Sequence, residues 1–106
     1  FNTSSATVAI YSDKSKSTLL PNNPGTIQTF NRPLFKISNA GKVSGYYVYF
    51  GTNVKADPVK KGYSTKKSEY IPPIIKQKKT YYFIFRVKDK SGNISDAVIT
   101  EYRYKK

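Results

Sequence analysis

Six carboxylates, Asp13, Asp57, Glu69, Asp89, Asp96 and Glu101, are the only side chains here suited to acid–base work near neutral pH without a large pKa shift. The chain has no His and no Cys. That removes the commonest general base, the commonest metal ligand, and every thiolate or disulfide. The carboxylates are scattered, and only one stands in an apolar stretch of the kind that tunes a catalytic acid. "DKSGNISD", residues 89 to 96, puts Asp89, Ser91, Asn93 and Asp96 where a calcium loop gathers oxygens, but it lacks a third acidic ligand and a closing Glu. The same letters spell a hairpin turn. No Gly-rich phosphate loop or serine-nucleophile pattern is present, and "KKGYS" at 60 to 64 reads as loop. The sequence therefore predicts no catalytic residue, no metal and no cofactor.

Binding chemistry is better supplied. Nineteen basic residues against six acidic give a net charge of +13. The stretch from 55 to 88 holds Lys55, Lys60, Lys61, Lys66, Lys67, Lys76, Lys78, Lys79, Arg86 and Lys88, opposed only by Asp57 and Glu69. Such a segment suits anionic cell-surface polymers, because Lys is an effective point charge for diffuse phosphate contacts. Nucleic acid is the other polyanion to weigh, but base reading favours Arg forks, and Lys outnumbers Arg sixteen to three. The plain alternative is a solvated surface in which Lys blunts exposed sheet edges.

These groups must be positioned by strands. Helix signals are nearly absent, and Tyr, Ile, Val, Thr and Phe fill the ordered-looking stretches between closely spaced turn residues. Strands are expected near 6–12, 33–38, 45–51, 68–72, 80–89 and 97–104, with a short edge piece inside "LLPNNPGTIQTFN" beside Pro21 and Pro24. "DKSGN" at 89–93 is the clearest hairpin turn. The pattern predicts an all-β, two-sheet antiparallel sandwich of about seven strands. The longest apolar run, "YYFIF" at 81–85, falls far short of the roughly 20 residues a membrane span needs. A chain that starts at Phe1, contains no Met and shows no signal-like segment is expected to be a single domain, 1–106, excised from a longer multidomain protein.

Over residues 33 to 104 the chain resembles the fibronectin type III-like, immunoglobulin-like sandwich domains of bacterial secreted and surface proteins. "PLFKIS" is similar to the family's second strand, "VSGYYVYFG" to its third, and "IKQKKTYYFIFRVKDKSGNIS" to its sixth with flanking turns. The resemblance implies a tyrosine corner at Tyr81, six residues after Ile75, in which the hydroxyl of a buried Tyr bonds to backbone. It also implies an extracellular location, neighbouring domains in the same chain, and a spacer or presentation role. The second strand lacks the usual Trp, with Ile37 in its place, so other rings must close the core.

Alternation along the strands then sorts the side chains. With Tyr81 inward, Phe83, Phe85 and Val87 follow it, and by alignment Tyr46, Val48 and Phe50 face the core. Tyr47, Tyr49, Tyr82 and Ile84 point outward, together with Arg86 and Lys88. An exposed aromatic patch results, joined by rings from "EYRY". It is explained either by cross-strand ring packing and cover from an adjoining domain, or by a platform for glycan or peptide. The candidate contact residues are Tyr47, Tyr49 and Tyr82 with Lys60, Lys61, Lys66 and Lys67.

Overall fold

Runs of Tyr, Phe, Ile and Val cut by turn residues fold into strands because branched and aromatic side chains pack well on a pleated surface. The computed structural model describes residues 6–23, 25–38 and 43–105. Its strands are β1 (Thr7–Tyr11), β2 (Leu19–Leu20), β3 (Ile27–Gln28), β4 (Leu34–Ser38), β5 (Val43–Gly51), β6 (Tyr63–Thr65), β7 (Glu69–Tyr70), β8 (Thr80–Asp89) and β9 (Val98–Tyr104), with one short helix, α1 (Pro58–Lys61).

The strands form an all-β sandwich of two sheets, ordered β2-β1-β4-β7 and β3-β9-β8-β5-β6. Among the described residues nine strands replace the expected seven or so. The surplus comes from short pairings, which leave little periodic signal in a sequence. The expected edge piece between β1 and β4 is two such pieces in different sheets, β2 on β1 and β3 on β9. Among the described residues all pairings are antiparallel except that of β3 with β9. Each sheet edge is a strand of two or three residues.

The core is aromatic. Phe35 from β4 and Phe83 from β8 stack across the sheets at 4.7 Å, and Tyr102 meets Phe35 edge-on at 5.7 Å. Tyr70 stacks on Phe83 at 5.4 Å, and Phe50 on Tyr81 at 5.3 Å. Phe35, Phe83, Phe85 and Tyr102 are fully buried, each ring contributing about 1.5–3 kcal/mol through its removal from water. Phe35 thus closes the core on the strand that carries Ile37 in place of Trp, and Ile37 is buried beside it. Tyr46, Val48 and Val87 are also buried, as the alternation predicts, and Phe50 packs against the same cluster.

The 60–64 stretch departs from the loop expected of it. Asp57 caps α1 by accepting the Val59 N–H at 3.1 Å, Pro58 occupies the first turn, and Lys60 and Lys61 sit in the last. These are favourable residues at each place, since Pro loses no hydrogen bond at a helix start and cations suit a helix end. Gly62 then brings the chain onto β5, and Tyr63–Thr65 pairs with Val48–Tyr46. A Cβ on Gly62 would lie 1.9 Å from the Val48 carbonyl oxygen, so only Gly allows this approach.

Candidate functional site

Of the two sheets, the five-stranded one carries the sequence-predicted contact residues on its outer face. The register sets Tyr47 opposite Arg86, Tyr49 opposite Ile84 and Gly51 opposite Tyr82. On the far side of β8, Tyr82 faces Glu101 and Ile84 faces Ile99. Tyr47, Tyr49, Tyr82 and Ile84 therefore share one face, but they do not make the expected exposed patch. Ile84 is completely buried, and the three rings are half-buried.

The cause is a cover. The 52–62 segment folds across the middle of the sheet, where Ala56 and Pro58 are buried and α1 packs on β5, β6 and β8. Arg86 anchors this cover: its guanidinium pairs with Asp57 at 3.1 Å, while its Nε donates to the Ser95 carbonyl at 2.7 Å. Asp57 is held below the usual carboxylate range mainly by the Val59 N–H, against the effect of burial, with Arg86 adding to the first. Tyr49 is used up by the same segment, since its hydroxyl accepts the Asn53 N–H at 3.2 Å and its ring lies over Gly51.

The rings of "EYRY" point the other way. Tyr102 pairs with Tyr81 across β8 and β9, so both it and Tyr104 face the core and are buried. Glu101 and Arg103 take the outward positions instead. The Tyr102 hydroxyl donates to the Phe30 carbonyl at 2.5 Å. Burial raises its pKa, and Tyr104 raises it further, opposed by the Phe30 bond.

Tyr81, by contrast, is half-buried, and its hydroxyl donates to the Gln77 carbonyl at 3.1 Å in the connection from β7 to β8. Ile75 in that connection is buried, with its N–H bonded to the Asn31 carbonyl. Tyr70, on the strand before it, is pushed up to about 12 by burial and by Tyr63.

The lysines do not form one patch. Lys60 and Lys61 are exposed on α1, and Lys66 and Lys67 are exposed just past β6. Lys76, Lys78 and Lys79 precede β8, whereas Lys88 stands near its end. Ten residues of strand hold these two groups about 30 Å apart. Glu69 is paired with Lys16 at 2.5 Å, and the Lys16 hydrogen bond keeps it below its ordinary value.

One cluster does form. An open groove of about 500 Å³ crosses β5, β6 and β8 and is lined by Ser44, Gly45, Tyr47, Ser64, Lys66 and Lys88 among others. Of the predicted contact residues it brings together Tyr47 and Lys66 and leaves the rest outside. A β-bulge shapes it: the β5–β8 register slips between Val43 and Gly45, and the Ser44 hydroxyl bonds the carbonyls of Lys88 and Asp89. Sequence reasoning passed over Gly45, although a Gly inside a strand is a recognised sign of a bulge or of close backbone approach.

A second groove of about 350 Å³ lies beside the cover and contains the Asp57–Arg86 pair with Ile84 and Ile99. Its charges are already matched. At 89–93 the Asp89 carboxylate accepts the Ser91 and Asn93 N–H groups, so its oxygens are spent on the turn. Among the described residues no group of three or more His, Cys, Asp or Glu is placed to hold a metal, and no helix is long and apolar enough to cross a membrane. Comparison of the chain with protein-family models, curated proteins and solved structures found no match.

Proposed function

We propose that this sandwich is a non-catalytic, fibronectin type III-like extracellular module that serves as a spacer or presentation domain in a bacterial surface or secreted protein. The observation that carries this reading is the path of the chain. β1 starts beside the first residues of β9: Ala6, Thr7 and Val8 line a groove with Val98, Ile99 and Glu101. β9 then runs seven residues, about 20 Å, to the opposite end, where the Lys105 N–H bonds the Gln28 carbonyl. A chain that enters at one end and leaves at the other holds whatever flanks it apart.

Pulling the domain by its two ends in a single-molecule force experiment tests the spacer role. One all-or-none unfolding event is expected, with no lengthening before it. Gradual extension at low load would be incompatible with a spacer.

A second reading, contact with glycans or anionic cell-wall polymers, is favoured by the basic excess and by the groove that joins Tyr47 to Lys66. Nucleic-acid binding has less support, since of the two tyrosines lining that groove Tyr46 is buried and Tyr47 half-buried, and stacking of successive bases needs several accessible rings.

A further inference from the structure

We infer that the groove over Gly45 is a binding site for a phosphate group carried on a saccharide, held between Lys66 and Lys88 with the sugar against Tyr47. The assignment deepens the polymer-contact reading and does not depend on the spacer role.

The register supplies the geometry. Gly45 faces Lys88 across β5 and β8, and two residues further along the same face Tyr47 stands opposite Arg86 and Ser64. Lys66, just past the end of β6, lines the groove on the β6 side of Gly45. Two lysines thus flank a position that has no side chain. Gly45 forms the floor between them, tight against β6, where its Cβ would meet the Thr65 carbonyl oxygen at 3.3 Å.

Charge selects the ligand. Among the described residues the ion pairs are Lys16–Glu69 and Arg86–Asp57, so both ammonium groups of the groove lack a carboxylate partner. No carboxylate lines the groove, and the nearby Asp89 is turned into its own loop. Arg86 could have competed as a donor, but its pairing with Asp57 and Ser95 withdraws it. Ammonium groups make strong charge-assisted hydrogen bonds to phosphate oxygens.

Size and shape select the carrier. A groove of about 500 Å³ is small for a polymer segment and suits one phosphorylated sugar unit. Tyr47 offers one partly exposed ring, while Tyr46 is buried beneath the sheet and Tyr49 is bonded to Asn53. One ring can lie against one sugar face but cannot serve a run of bases.

The test is an amide NMR titration of the full chain at physiological salt with glucose 6-phosphate, glucose, dextran phosphate, neutral dextran and a short oligothymidylate. Shifts confined to Ser44, Gly45, Tyr47, Ser64, Lys66 and Lys88 are expected with glucose 6-phosphate and dextran phosphate. Glucose and dextran should produce little. Lys66→Glu, at an exposed position where folding is not at risk, should weaken binding at least tenfold, and Lys88→Gln about three- to tenfold. Dextran phosphate shifts at Lys60, Lys61 and Lys76–Lys79 that spare the groove would overturn the site and leave polymer contact standing. Absence of shifts with both phosphate probes would remove site and polymer contact together. Tighter binding of the oligothymidylate at the same residues would replace the saccharide with nucleic acid.

Discussion

The Tyr102 hydroxyl reaches out of the aromatic core to the carbonyl of Phe30, tying the middle of β9 to the segment that links β3 to β4. Phe30 stands 72 residues away in sequence, so the bond joins distant parts of the chain. Tyr102→Phe keeps the ring and strands the carbonyl. A loss of about 1–3 kcal/mol is expected in chemical denaturation. Tyr81→Phe, which removes a more exposed bond to Gln77, should cost about 0.5–1 kcal/mol. Equal losses would mean that burial does not set the value of these hydroxyls.

Ile84 lies on the outer face of its sheet yet is as buried as the core. Ile84→Ala should therefore behave as a core truncation and cost about 2–5 kcal/mol. Tyr47→Ala, at a half-buried ring, should cost less than half as much. If the two losses prove similar in urea titrations, α1 does not cover the sheet in solution.

Alternation by two was enough to sort Phe83, Phe85, Val87, Tyr46 and Val48, because the period of a strand is a local property. It also places Ile84 on the outer face, but not its burial, which depends on a segment nearly thirty residues earlier in the chain folding over it. Alternation puts Tyr102 and Tyr104 on one face without saying which, and the register of β9 on β8 turns that face to the core instead of the outer patch expected for them. The cover is read as loop from the sequence, although "ADPVKKG" carries a capping Asp, a Pro in the first turn and a Gly beyond the end. Four residues of helix carry too little periodicity to be noticed without those end signals. In the groove, Tyr47 and Lys66 were visible as types, but their meeting rests on the pairing of β5 with β6 and on a bulge.

Gly62→Ala should destabilise by about 1–3 kcal/mol, because the added methyl group meets the Val48 backbone and no side chain can yield. Hydrogen exchange should show the loss first at Tyr63–Thr65. Protection there equal to that of the unaltered protein would disprove the close approach.

Acid should weaken the fold. Asp57, Glu69 and Asp13 have native pKa values below their ordinary ones, with the Val59 N–H, the Lys16 ammonium and the Ser15 hydroxyl as the respective leading causes. Each stabilises the native state above the unfolded carboxylate value of about 4 and loses that contribution as pH falls through its lower native value. With all six carboxylates neutral, 19 basic charges remain to repel one another. Melting temperature should hold level from pH 8 to 5 and drop below pH 4, and a flat profile down to pH 2 would contradict these pairings.

Alkali acts through the tyrosines. Tyr70 and Tyr102 are raised in the folded protein, Tyr70 to about 12, chiefly by burial. Their neutral forms favour the native state fully below pH 10, and the advantage disappears as pH rises towards 12. Ultraviolet titration should show part of the phenolate absorbance appearing only with unfolding.

The four sheet edges end in strands of two or three residues. Those short pieces leave longer rows uncovered beside them, since β3 meets only Arg103 and Tyr104 of β9 and leaves residues 98–102 without a strand partner on that side among the described residues. Copies held side by side would therefore be kept from zipping along β9 by their shared net charge of +13 and not by the length of an edge strand.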